Sequence, residues 1–188
     1  MYGLVNRAFH ELVCARYGES VWQQIRIKAG VDDEVFIRMD SYPDAVTYQL
    51  IEAASQVLQT PSPVLLEEFG RHWMRYTALE GYGDLLSDMG SSFQQALAGL
   101  DGMHARVGLL YPDLKPPLFR CTDITLDGLC LHYHSERTGF AHMVIGLVEG
   151  LGEKFGLKVA ITHAVARGDV QDHDSFAIRI LGPLHNAS

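Results

Sequence analysis

One histidine stands where chemistry could be built. Phe93, Leu97, Leu100, His104 and Val107 step by four, three, four and three, so they share one helix face, and His104 lies inside an apolar stripe. An imidazole there is either a core histidine bonded to a backbone carbonyl or an axial ligand to a buried metal or haem iron. Downstream, Tyr133, Ser135 and Arg137 alternate along a predicted strand and point to one face, which Leu129 and Leu131 begin as apolar. Three donors in line, one a guanidinium, can bind carboxylates or phosphates; they equally suit a strand emerging into solvent. The opposite face carries His132 and His134, then Glu136. That pair could hold Zn²⁺ or Cu²⁺, or could be a solvated face. His163, His173, Asp172 and Asp174 form a looser group of the same kind, whose aspartates also suit a loop.

Other chemistries find little support. No GxSxG, HExxH or GxxxxGK[ST] is present. Gly139, Gly146, Gly150, Gly152 and Gly156 cluster around one predicted helix, but no strand-to-glycine turn precedes them as a dinucleotide fingerprint requires. They serve close packing, or a backbone lying near a flat ligand. With 188 residues, 47% hydrophobic and 20% charged, the chain reads as globular rather than disordered or fibrous. A net charge of −8 argues against nucleic acid and anionic membranes. Three cysteines without a CxxC pair argue against a disulfide scaffold and for a reducing, cytoplasmic compartment. Asn6, Arg7, His10 and Glu11 interrupt the N-terminal apolar residues, so no targeting segment is expected. No run approaches the roughly 20 apolar residues of a membrane span.

These groups need elements to position them. The first part reads helical. Leu4, Val5, Ala8, Phe9, Leu12 and Val13 recur at helical spacing before Gly18, and Val21, Trp22 and Ile25 precede Ala29-Gly30. Tyr42-Pro43-Asp44 opens a third helix and Pro63 suits the first turn of a fourth. Gly81 and Gly83 break the chain, and Ser91 or Ser92 caps the His104 helix. Tyr111-Pro112 and Pro116-Pro117 form a stiff connector. Then the period changes: strands over 118–125 and 129–137 joined at Asp127-Gly128, a helix over 140–155, and alternating runs at Val159–Val165 and Phe176–Ile180, with Arg167-Gly168-Asp169 between them. The prediction is an α+β fold. A helical part over about 1–110 precedes a ββαββ part over about 118–182 with a four-stranded antiparallel sheet, together one domain over 1–183 with a tail at 184–188.

His104, Pro116-Pro117 and Tyr133-x-Ser135-x-Arg137, in this order, resemble the haem–nitric oxide/oxygen-binding (H-NOX) family, bacterial relatives of the soluble guanylate cyclase sensor domain. Glu80-Gly81-Tyr82-Gly83, His104-Ala105-Arg106-Val107-Gly108 and Pro116-Pro117-Leu118-Phe119-Arg120-Cys121 are similar too, and the resemblance runs from Met1-Tyr2-Gly3 to about Leu181. It implies haem b buried between the two parts, with His104 as proximal iron ligand. Tyr133, Ser135 and Arg137 would hold the haem propionates, and Pro117 would press on the porphyrin and keep it non-planar. Val5, Phe9, Trp73 and Met143 would line the distal side, with Leu100, Met103 and Leu147 as further haem contacts.

The resemblance also bears on ligand and output. Oxygen-binding members carry a distal tyrosine on the helix that here spans 140–155, and Met143 stands at that position with no proton to donate. Phe9 offers none, which leaves the Trp73 indole. The expectation is that NO and CO bind ferrous haem while O₂ forms no stable complex. Loss of the His104 bond on NO binding would free its helix, let the haem flatten against Pro117 and shift the two parts. The protein would not be an enzyme but would signal in trans, to a histidine kinase or a cyclic-di-GMP enzyme. Some members bind zinc through cysteines near the last two strands; Cys121 and Cys130 lie elsewhere, so that zinc is not expected. Cys121 is either a modifiable thiol or a small buried hydrophobe. The rival readings are a metal-dependent enzyme built on His132, His134 and Glu136, and a haem carrier without signalling.

Overall fold

The computed structural model of the chain describes residues 1–33, 35–77, 89–109, 111, 114–168 and 171–184. The expected break at Gly81 and Gly83, Pro112 of the connector, Asp169 and the tail after Leu184 lie outside the described residues.

Four helices come first: α1 (Gly3–Tyr17), α2 (Glu19–Ala29), α3 (Asp44–Leu58) and α4 (Ser62–Thr77). Gly30 ends α2 in the left-handed conformation at φ 64, and its N–H returns to the α2 carbonyls of Arg26 and Ile27. Pro63 sits in the first turn of α4, where a missing N–H costs no intrahelical bond. Phe9, Val13, Trp22, Ile25, Leu50 and Phe69 merge from four apolar stripes into one core. Inside it the Thr47 hydroxyl donates to Asn6 Oδ1 at 2.7 Å, which satisfies a buried donor.

The helix expected over Phe93–Val107 is divided. Ser92 Oγ accepts from the Gln95 N–H and caps α5 (Phe93–Ala98); after Gly99, α6 (Leu100–Gly108) continues. Glycine's poor helix propensity permits the interruption. The Met103 N–H still bonds to the Gly99 carbonyl at 3.0 Å, so Leu100, His104 and Val107 keep a common side.

The second part is β1 (Leu118–Thr122), β2 (Gly128–His134), α7 (Ala141–Lys154), β3 (Leu157–Val165) and β4 (Asp174–Pro183). All neighbours pair antiparallel in the order β1-β2-β4-β3, which is the expected ββαββ arrangement. Leu129, Leu131, Phe176 and Ile178 pack under Val144, Val148 and Leu151 of α7. Three local expectations fail. β1 stops at Thr122, short of the expected 125, where Asp123 turns left-handed. β2 stops at His134, so Ser135 and Arg137 lie in the turn beyond it rather than on a strand. Asp127-Gly128 is not a two-residue turn: Gly128 already begins β2, and a Cβ on it would stand 2.1 Å from the Ile178 carbonyl oxygen. The glycine is there for close strand approach, and the left-handed residue of the connection is Asp123 at φ 52. Among the described residues no helix is long and apolar enough to cross a membrane.

Two of the contacts between the parts bear on the site. α4 crosses α7 at glycine: a Cβ on Gly70 would lie 2.2 Å from the Met143 carbonyl oxygen, and one on Gly146 would lie 1.9 Å from that of Glu67. Close packing is therefore what these glycines supply. Arg71 pairs with Glu149, and Arg75 with Glu153 at 2.9 Å, along the same crossing. The second contact is Asp44, which accepts from the Met1 ammonium at 2.5 Å and from Arg137 Nε at 2.8 Å.

Gly146→Ala should destabilise the protein by about 1–3 kcal/mol or more, because a backbone carbonyl must yield; an unchanged denaturation midpoint would refute the crossing. Burial pushes the Asp44 carboxyl up, but the bonds from Met1 and Arg137 outweigh it and hold the pKa below the ordinary 3.8. The clamp is thus fully present above that value and lost as pH falls through the lower folded one. Thermal melts against pH should show a steeper acid limb for the wild type than for Asp44→Asn, and coincident limbs would exclude this role.

Candidate functional site

An apolar cavity of about 270 Å³ lies between the two parts. α1 contributes Leu4 and Val5, α4 contributes Trp73, Met74 and Thr77, and α7 contributes Met143 and Leu147. α6 contributes Leu100, Met103, His104 and Val107. None of the α6 side chains is fully buried, because its apolar face is the cavity wall. Pro117 and Phe119 stand beside it, and Tyr133, Ser135 and Arg137 form the polar end. The rings of His104 and Phe119 are 5.8 Å apart and those of Phe119 and Tyr133 5.4 Å apart, a continuous aromatic row from the histidine to that end. The Phe119 N–H donates to Asp101 Oδ1 at 2.7 Å and pins α6 to β1.

Electrostatics separates the two ends. Burial lowers the His104 pKa below the ordinary histidine value and outweighs the opposing pull of the Pro117 carbonyl and Asp101. The ring is therefore neutral at pH 7, the form with a free lone pair. Its Nδ1 is buried with no hydrogen-bond partner among the described residues. Burial likewise raises the Tyr133 phenol, more than its Ser135 hydrogen bond lowers it, so Tyr133 keeps its proton as a donor. Ser135 Oγ accepts from the Arg137 N–H at 3.1 Å. Arg137 gives Nε to Asp44 and Nη1 to the Lys115 carbonyl at 2.7 Å, and its Nη2 carries no bond to a described residue. Thr77, on the α4 wall, spends its hydroxyl on the Trp73 carbonyl at 2.7 Å.

Most of the residues singled out from sequence meet here: His104, Pro117, Tyr133, Ser135, Arg137, Val5, Trp73, Met143, Leu100, Met103 and Leu147 all line the cavity. Phe9 does not. It is 2% exposed and packs edge-on against Phe69 at 5.3 Å inside the helical core. His132 and His134 point to the other side of the sheet, and Glu136 turns away to Lys115 at 3.1 Å, so the rival metal arrangement of these three residues does not form. His163 and Asp174 bond each other at 2.8 Å. Burial pushes the Cys121 thiol up to about 11, helped by Asp101 and Cys130, which makes it inert rather than reactive. The pairings of Met1, Asp44 and Thr77 carried no signal in the sequence, since each acts through a distant partner or a backbone carbonyl.

The donor set fits haem. A planar apolar ring needs apolar walls, a neutral nitrogen ligand and donors for two carboxylates at one edge. The cavity offers the half-buried imidazole of His104, its Nδ1 buried and without a hydrogen-bond partner, on one wall, and Tyr133, Ser135 and Arg137 at one end.

Known proteins agree. Soluble guanylate cyclase gcy-31 of Caenorhabditis elegans is 31% identical over 154 residues, 82% of this chain and 22% of the cyclase. Soluble guanylate cyclase 89Da of Drosophila melanogaster is 25% identical over 98% of this chain and 28% of its own length. The chain therefore spans about a quarter of these relatives. In fold it is similar to an H-NOX protein from S. oneidensis in the Fe(II)NO state, with TM-score 0.87 and 23% identity over 97% of this chain and all of that one. The unliganded Fe(II) H-NOX protein from K. algicida gives 0.82 and 21% over 99% and 100%. The family model described as Haem-NO-binding matches residues 2–163, so the chain belongs to the H-NOX family of haem-based gas-sensor domains.

Proposed function

We propose that this chain holds haem b with His104 as iron ligand and Tyr133, Ser135 and Arg137 on the propionates. It senses NO and CO without forming a stable O₂ complex, and it signals in trans in the cytoplasm to a partner such as a histidine kinase or a cyclic-di-GMP enzyme. The observation that carries the reading is the neutral imidazole of His104, its Nδ1 buried and unpartnered, in the apolar wall of a cavity whose far end is polar. Haem, when bound, supplies an iron position open to a diatomic gas.

The chain's own residues do the rest. Val5, Met143 and Leu147 keep water from the gas side. Selectivity follows from donors: a polarised ligand such as O₂ needs an N–H or O–H beside it, and NO and CO need it far less. Met143 has no proton to give, and the Thr77 hydroxyl is committed to a helix carbonyl. The Trp73 indole N–H is the donor left on α4, and its ring is braced edge-on against Phe69 at 6.2 Å.

Output follows from α6. With no fully buried side chain, this helix is held by its cavity contacts and by the Asp101 link to β1. Any change in the hold on His104 therefore passes to α6 and through Phe119 to the sheet, a two-state element that a ligand can bias. No catalytic step is assigned to the chain itself.

Absorption spectra of the purified, haem-loaded protein under argon, air, CO and NO test the selectivity. CO and NO should shift the Soret band and air should not; a stable oxygenated spectrum would refute the donor argument, and Trp73→Phe would then show whether the indole supplies the donor. His104→Gly should lose the native ferrous spectrum and regain a five-coordinate one with added imidazole. An unaltered His104→Gly spectrum would remove His104 as ligand.

A further inference from the structure

The outer face of the sheet gathers histidines that the haem site does not use. β2 sends Leu129, Leu131 and Tyr133 inward, so His132 and His134 must point out. β2 pairs with β4 in the register Tyr133↔Asp174, which brings Asp172 and His173, just before β4, beside the end of β2. Two pairs far apart in sequence thus become one cluster. His134 and His173 stack with ring centroids 4.1 Å apart. Their Nδ1 atoms address the same oxygen: Asp172 Oδ1 is 2.8 Å from His173 Nδ1 and 4.0 Å from His134 Nδ1. All three ligand atoms fall within 4.8 Å of one another.

We infer that His134, Asp172 and His173 form a second, haem-independent site for a divalent late transition metal, Zn²⁺ in the first instance. Ligand atoms around a tetrahedral Zn²⁺ stand about 3.3 Å apart, given bonds of about 2.0–2.1 Å, so small rotations of these side chains suffice. Two imidazoles and a carboxylate suit Zn²⁺, and Cu²⁺ or Ni²⁺ as close competitors. Asp172 is 87% exposed, so water completes the coordination.

The surroundings support this geometry. A metal on His173 Nδ1 requires the ring proton on Nε2. That nitrogen is 2.9 Å from His132 Nδ1, which can accept it. His132 then carries its own proton on Nε2, 2.9 Å from Thr122 Oγ1. The Thr122 hydroxyl in turn donates to Asp123 Oδ2 at 3.1 Å. Every donor finds an acceptor, and the chain ends on a carboxylate, the kind of outer support that fixes a ligating histidine. His132 is thus a positioning residue. Arg120, opposite His132 in the β1 register, is the nearby opposing charge. The site uses none of the three cysteines. The other grouping of ligand type among the described residues, His10, Cys14 and Glu19, lies on the helical part. There Cys14 donates to Glu19, and its thiol is pushed up to about 12, first by burial.

The test is equilibrium dialysis of the haem-loaded protein against Zn²⁺, with metal analysis and titration calorimetry. One Zn²⁺ per chain beyond the haem iron is expected. Affinity should fall at least ~10-fold in His134→Ala, His173→Ala and the exposed Asp172→Ala, and by about 10–100-fold in His132→Ala. Cys14→Ser should bind as the wild type does. Circular dichroism melts confirm that each variant is folded, and Asp172→Ala, at a solvent-exposed position, carries the test should a histidine variant unfold. Absence of stoichiometric Zn²⁺, Cu²⁺ and Ni²⁺ binding, or loss of Zn²⁺ in Cys14→Ser with retention in Asp172→Ala, would overturn the proposal.

Discussion

The structure depends on how closely α4 and α7 approach. Gly70 and Gly146 let two helix backbones meet where any side chain would strike a carbonyl. That contact fixes more than stability. Trp73 and Thr77 lie three and seven residues beyond Gly70, and Met143 and Leu147 flank Gly146. Helical geometry therefore sends all four toward the same side of the crossing, and all four line the cavity. With wider spacing this cavity wall would be reshaped, because the same crossing that joins the helical core to the sheet also positions its lining residues.

The cavity has two kinds of support. Its apolar wall is made by side chains at the edges of the two cores, Leu4, Val5, Trp73 and Met143 on one side and Leu100 and Met103 of α6 on the other. Its polar end is held by charge: Met1, Asp44, Arg137 and the Lys115 carbonyl form one connected group. Asp44 belongs to the helical part and Arg137 to the α/β part. The residue proposed to hold a propionate is therefore also a hinge pin between the parts. A change at the cavity that draws on Arg137 must be shared with Asp44, which gives a physical route from ligand to relative position of the parts.

Much of this was legible in the sequence where one element carries the signal. The stripe through His104 needed only the helical period, and Gly30 and Pro63 announced helix ends by their backbone chemistry. What stayed hidden depended on contacts between elements. Gly99 divides a helix whose stripe continues unbroken, so periodicity alone could not find it. Ser135 and Arg137 keep the alternation of a strand that has already ended. Asp127-Gly128 has the composition of a turn, but the glycine answers to Ile178 across the sheet. Phe9 has the right helix and the wrong side: its stripe is consumed by Phe69. Asp44 reads as a helix start, and its pairing is hidden because its partner is 93 residues away.

The end of β2 presents different side chains to the two faces of the sheet. Strand alternation places Tyr133 in the cavity and His132 and His134 outside, with no side chain shared between the faces. The faces nevertheless share a backbone. Arg167 Nη1, at the end of β3, donates to the Ser135 carbonyl at 2.6 Å, one residue past His134 and one before Glu136. A cation held by His134 and His173 would tie this segment to the start of β4, while Arg167 ties it to the end of β3. Both ties fall at the turn that presents Ser135 and Arg137 to the polar end of the cavity. The outer histidines therefore sit where fixing the backbone would restrict Ser135 and Arg137 at the polar end of the cavity without touching its apolar wall or His104.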